Sequence, residues 1–172
     1  MICVFGHVSG INVISEYIVK KGFHRLWILR RLKGLGASQA NLVDVYLKQV
    51  RPVLELAVPA WHPGLSLSDA VDIERVQKAS LQIILGPNYT SYRSALIQIG
   101  LDTLEDRRII LCKKFGGKAV KNNKHTKWFK PNVRVTVTRQ EQPKFCPVVA
   151  RTKRFENSPI SYLTMLLNKY SK

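Results

Sequence analysis

Apolar side chains recur at helical spacing through the first two thirds of the chain, punctuated by residues that start or stop helices. The first stretch runs from about Ile14 to Leu35, with few breakers, and Gly34 and Gly36 supply a C-terminal stop. At about 100° per residue, Ile14, Ile18, Ile28, Leu29 and Leu32 share one arc, while Lys20, His24, Trp27 and Arg31 form a row on the opposite one. This predicts a helix with an apolar side and a basic side.

Ser38 is placed to cap a second helix from Gln39, whose apolar positions are Leu42, Val45, Tyr46, Val50 and Val53. Pro52 lies inside that pattern and predicts a kink or a break. Val58 to Leu65, with Pro59 and Pro63-Gly64, reads as a turn-rich connector. A third helix starts after Ser66 or Ser68 and ends at Gly86-Pro87, with Ile73, Val76, Ala79 and Ile83 inward and a Glu74–Lys78 pair outward. Thr90 is the expected cap of a short helix through Ile99, which Gly100 stops. Thr103 and Asp106 resemble a capping box for a fifth helix, from Leu104 to about Val120. On it Arg107, Lys114, Lys118 and Lys121 superpose on one face, beside an apolar arc of Leu104, Cys112, Phe115 and Ala119.

After Lys121 the periodicity fails. Lys, Asn, Pro and Gln dominate, and the brief alternation of Val133, Val135 and Val137 suggests at most one short strand. Ser158-Pro159 then opens a terminal helix through Asn168. The fold class expected is mainly α: a helical bundle of about five helices with a basic irregular C-terminal extension ending in a short helix. Residues 1–13 stay unassigned, 14–120 form the helical domain, 121–157 a basic linker and 158–169 the short C-terminal helix.

Charge changes the picture most. In 172 residues, 28 Lys and Arg face 11 Asp and Glu, for a formal charge of +17. Of the excess, +10 lies in the last 52 residues, where 12 basic side chains meet 2 acidic ones. Such a chain repels itself unless a polyanion is near, so nucleic acid is the first partner to consider and an acidic membrane surface the second. Cys3, Cys112 and Cys146 are too far apart to predict a disulfide framework or zinc knuckle, which fits an intracellular setting, nucleus or cytoplasm. The apolar opening from Met1 to Ile18 lacks the basic start of a signal peptide and the length of a membrane span.

Four blocks in order carry a resemblance: YIVKKGFHRLWILRRLK (17–33), VRPVLELAVPAWHPGL (50–65), IERVQKASLQIILGPNYTSYRSALIQIGLDTLEDRR (73–108) and ARTKRFENSPISYLTMLLN (150–168). Together they resemble the C-terminal part of reverse transcriptases from non-LTR (LINE-type) retrotransposons, downstream of the catalytic palm. The resemblance implies that 14–120 is a helical thumb followed by its connector. It also implies RNA or an RNA–DNA hybrid as partner, with the palm domain of the parent polymerase as a second one. The opening residues MICVFGHVSGIN fall outside the resemblance, so a palm encoded upstream of Met1 is also expected as an alternative.

The chemistry of polymerisation is not expected from this chain. Two Mg²⁺ ions need at least two nearby carboxylates; the resemblance implies that an adjacent Asp-Asp pair would supply part of them, and no Asp-Asp pair occurs. Asp44, Asp69, Asp72, Asp102 and Asp106 lie mostly near helix starts, where carboxylates complement the helix dipole. Gly116-Gly117 lacks the context of a phosphate loop. His7, His24, His62 and His125 show no metal-ligand spacing, and His62 reads as a turn residue bonded to backbone. No catalytic residue, metal site or cofactor is predicted.

Binding is the better-supported chemistry. Lys20, His24, Trp27 and Arg31 suit a phosphate backbone; the competing reading is a solvated face with Trp27 partly in the core. Arg107, Lys114, Lys118 and Lys121 lean towards binding because no acid interleaves the row, whereas Arg108 points into the apolar arc as a structural residue. Lys121, Lys124, Lys127 and Lys130 with Trp128 and Phe129 combine charge with stacking surfaces. Equally, the two aromatics dock onto the bundle and the lysines only solubilise it. Arg151, Lys153 and Arg154 ahead of Phe155 form a last cluster with the same two readings. The functional alternative to binding is a structural remnant whose basic surface once docked onto missing polymerase domains.

Overall fold

The computed structural model describes residues 7–122, 125–132 and 143–170, and they are mainly helical. The elements in order are α1 (His7–Gly34), α2 (Gln39–Val45), α3 (Arg51–Leu54), α4 (Val58–Trp61), α5 (Leu67–Leu85), α6 (Tyr92–Ile99), α7 (Leu104–Lys121), α8 (Lys153–Glu156) and α9 (Pro159–Lys169). The chain forms two compact units, one of residues 1–57 and 65–107, the other of residues 58–64 and 108–172.

In the first unit α1 packs chiefly along α5. Its buried arc is centred on Ser15, Ile18, Gly22, Leu26 and Leu29, so Ile14, Ile28 and Leu32 lie at the edge of the expected apolar side, and Ile14 is exposed. The helix also begins earlier than the periodicity indicates, at His7. Gly22 permits close approach: a Cβ there would lie 2.8 Å from Leu54 Cδ2 and 2.9 Å from Val76 Cγ1. From α5, Ile73, Val76, Leu81, Ile84 and Leu85 are buried, and Leu81 and Leu85 join Ala95 and Leu96 of α6 in one apolar cluster.

Hydroxyl caps set the helix starts. Ser38 Oγ accepts the Asn41 N–H at 3.3 Å, Ser66 Oγ accepts the Asp69 N–H at 3.1 Å, and Ser91 Oγ accepts the Ser94 N–H at 3.2 Å. The cap of α6 is thus Ser91, one residue beyond the expected Thr90, because its hydroxyl stands two residues before the N–H of Arg93 and three before that of Ser94. Thr103 Oγ1 accepts the Asp106 N–H at 3.1 Å and donates to the Asp106 carboxylate at 2.7 Å. Gly100 closes α6 in the left-handed region, φ 73°.

Pro52 neither kinks nor breaks the second helix by itself. The chain widens first into a π turn, Tyr46–Val50, and Pro52 then sits in the first turn of α3, where its missing N–H is tolerated. Arg25 donates to the Gln49 carbonyl in that turn. The pair expected between Glu74 and Lys78 is also replaced. Glu74 accepts from the Tyr92 hydroxyl and from the Leu104 N–H (3.1 Å), while Lys78 is exposed.

The second unit contains most of the connector expected to be turn-rich: it holds α4 and a 3₁₀ turn, His62–Gly64, with Trp61 buried. Its long element is α7 from Arg108 onward, where Cys112 and Ala119 are buried, but Phe115, expected inward, is 41% exposed. Gly116 lies against Leu167 of α9, whose nearest carbons would be 3.4 Å from an added Cβ. Between α7 and α8, Phe129 and Phe145 pack with ring centroids 5.8 Å apart beside an antiparallel bridge of Pro131 with Phe145. The side-chain amide of Asn168 brackets Phe145, accepting its N–H at 2.9 Å and donating to its carbonyl at 3.0 Å. Thr152 caps α8, which the residue pattern did not indicate. The strand suggested around Val133 to Val137 lies outside the described residues.

Candidate nucleic-acid interface

Helix α1 places Lys20, His24, Trp27 and Arg31 in one row, and all four are exposed, Trp27 by 54%. The alternative with Trp27 partly in the core is therefore corrected: the core arc is supplied by Leu26 and Leu29, and Trp27 falls on the far side. No Asp or Glu occurs between Glu16 and Asp44, and among the described residues neither Lys20 nor Arg31 has a carboxylate partner. Periodicity did not single out Tyr17, Lys21, Phe23 and Arg30, which flank the row and are exposed too. Lys21 Nζ stands 5.6 Å from the centre of the Tyr17 ring. The inward cations of α1 do a different job. Lys33 donates to the Ile83 carbonyl in the last turn of α5, as Arg25 does to Gln49, so each cation meets the carbonyl end of a helical segment.

The row on α7 is not uniform. Arg107 is half-buried, and its Nε and Nη2 donate to the two carboxylate oxygens of Glu55 at 2.8 and 3.0 Å. That fork holds the guanidinium charged, above its already high ordinary pKa, chiefly through the hydrogen bonds to Glu55. Lys114, Lys118 and Lys121, in the second unit, are exposed. Arg108 is buried, 3% exposed, in keeping with a structural role.

In the tail cluster the structure separates the two aromatics. Phe129 is buried against Phe145, whereas Trp128 is 39% exposed and its ring lies against that of His125, centroids 4.3 Å apart. Lys127 and Lys130 are exposed; Lys124 lies outside the described residues. The His125 contact has a faint sequence signal, the spacing of three to Trp128 within one tight turn. Arg151 and Lys153 are exposed, and Arg154 falls within α8.

Several of the remaining polar groups pair with one another or cap helices. Asp44 pairs with Lys48 and Asp72 with Arg75, both at 2.6 Å, while Asp69 and Asp106 sit in first helical turns. A cavity of about 220 Å³ in the first unit is bordered by Tyr46, Gln77 and Arg107, whose polar atoms already bond one another or Glu55. His62 does not bond backbone through its ring: its Nε2 meets the Tyr162 hydroxyl at 3.2 Å, because the 3₁₀ turn presents the ring to α9. Burial, reinforced by the Arg108 charge, lowers its pKa to about 4. Burial also pushes the Cys112 thiol up to about 11, away from nucleophilic use. Among the described residues no group of three or more His, Cys, Asp or Glu is placed to hold a metal ion, and no helix is long and apolar enough to cross a membrane.

No family model matches the chain, and no curated protein or solved structure matches it either.

Proposed function

We propose that this chain is part of a non-LTR retrotransposon reverse transcriptase, from the region downstream of the palm. In this reading it binds template–primer nucleic acid through basic helix faces without reading sequence, and it carries no polymerase chemistry of its own. The observation that supports it best is the exposed, acid-free row of Lys20, His24, Trp27 and Arg31 on a single rigid helix. Cations held at fixed intervals along a rod neutralise phosphates and release condensed counterions, which gives affinity without base readout. The test is binding of an RNA–DNA hybrid across a salt series. Affinity that falls steeply with salt supports the reading; no affinity at low ionic strength ends it.

A second reading is favoured by one feature. Phe115 is exposed beside Lys114 and Lys118, and an aromatic between cations suits a protein surface as well as a polyanion. Under this reading that part of α7 docked onto other polymerase domains. Charge reversal of Lys114 and Lys118 separates the two: unchanged hybrid affinity assigns that surface to docking, and a large loss assigns it to nucleic acid.

A further inference from the structure

We propose, resting on the nucleic-acid reading above, that the outer face of α1 takes a single strand, with unpaired bases stacked on Tyr17 and Trp27 and its phosphates met by Lys20 and Arg31. Tyr17 and Trp27 are 53% and 54% exposed; Trp27 stands in the row with Lys20, His24 and Arg31, and Tyr17 flanks that row about one turn before Lys20. Ten residues separate the two rings, about 15 Å along the helix axis, and Lys20 and His24 lie between them. The order along the rod is therefore aromatic, cation, imidazole, aromatic, cation.

That order is informative about strandedness. A duplex keeps its bases stacked inside and presents phosphates and groove edges, so two broad ring faces directed at its backbone gain little. Unpaired bases have free faces, and aromatic–base stacking combined with cations is the usual chemistry of single-strand capture. Charge complementarity is strong here, because no acidic residue occurs from Tyr17 through Val43. A lipid surface fits less well. The opposite arc of α1, with Ile18, Leu26 and Leu29, is buried in the first unit, and the middle of the exposed stripe is charged rather than apolar.

The experiment uses the full chain and fluorescence anisotropy with two labelled probes, a single-stranded oligonucleotide and the blunt RNA–DNA hybrid containing the same sequence. Trp27→Ala and Tyr17→Ala are each expected to weaken the single strand about tenfold and the hybrid less than about twofold. Trp27→Phe keeps most of the affinity, and Lys20→Ala weakens both probes alike. Both aromatics are at exposed positions, and circular dichroism verifies that the variants remain helical. If Trp27→Ala leaves single-strand affinity intact, or weakens both probes equally, the inference is overturned while the broader reading survives on hybrid binding. Binding of neither probe overturns both. Attachment to phosphatidylserine vesicles that depends on Trp27, without a Trp27-dependent single-strand affinity, overturns it in favour of an anionic lipid surface.

Discussion

The Glu55 carboxylate holds the Arg107 guanidinium in a two-pronged fork, at 2.8 and 3.0 Å, with both side chains largely withdrawn from solvent. The most N-terminal member of the basic row on α7 is thereby a structural cation that ties the end of α3 to the start of α7. Replacing Glu55 by Ala strands a half-buried guanidinium and should cost about 2 kcal/mol in urea unfolding. Arg107→Lys should recover only part of the wild-type stability, since an ammonium cannot reproduce the fork.

A second stabilising node is Gln77, 1% exposed. Its Oε1 accepts from the Tyr46 hydroxyl at 2.6 Å, and its Nε2 donates to the Asp102 carbonyl at 2.9 Å and to the Tyr92 hydroxyl at 3.1 Å. Gln77→Leu fills the space but removes the bonds to the Tyr46 hydroxyl and the Asp102 carbonyl, while the Tyr92 hydroxyl keeps its bond to Glu74. The expected loss is about 2–4 kcal/mol, visible as a lower thermal midpoint.

Acid should destabilise the chain partly through His62. Its folded pKa of about 4 lies below the ordinary 6.5, so the unfolded chain binds the proton more readily between those values. The stabilisation from burying a neutral ring is complete above pH 6.5 and is lost as pH falls towards 4. It is on the order of 2 kcal/mol after allowance for partial exposure. Denaturation of wild type and His62→Gln at pH 7 and pH 5 should show a smaller acid-induced loss in the variant.

The exposed row on α1 predicts a change in salt dependence rather than only in affinity. Substituting both Lys20 and Arg31 by Ala should reduce the slope of log affinity against log salt by about 0.7–0.9 for each phosphate contact removed. Both side chains are exposed, so the thermal midpoint should stay near wild type.

Gly22 lies where α1 meets Leu54 and Val76. Alanine there gains about 1 kcal/mol of helix propensity but forces its methyl against two packed side chains. Overpacking should win, for a net loss of about 1–2 kcal/mol, and the larger Gly22→Val should lose considerably more.

The residue pattern made several helices legible because Ser38, Ser66, Ser91 and Thr103 mark the starts of α2, α5, α6 and α7, and Gly34, Gly86 and Gly100 mark the ends of α1, α5 and α6. It located the third helix and the stop at Gly100 almost to the residue. It could not reveal the π turn, since Tyr46 to Val50 keep an apolar spacing that a one-residue widening barely disturbs. Nor could it reveal α4, a single turn with Val58 and Trp61 buried, or α8, a single turn capped by Thr152, because neither carries a repeat. For the candidate site, angular arithmetic placed Lys20, His24, Trp27 and Arg31 correctly on the surface, because one helix fixes their relation. It could not show that Arg107 pairs with Glu55, 52 residues away, or that Phe129 turns inward while Trp128 remains outside. Those outcomes depend on contacts distant in sequence.

Lys33 offers a readout of its own. Its amine reaches the Ile83 carbonyl near the turn at Gly86, where φ is 58°. An engaged amine reacts slowly with acylating reagents, whereas the unencumbered Lys20 should be modified quickly. A footprint comparing the two would report whether the last turn of α5 is latched, and sudden labelling of Lys33 would mark the moment the first unit comes apart.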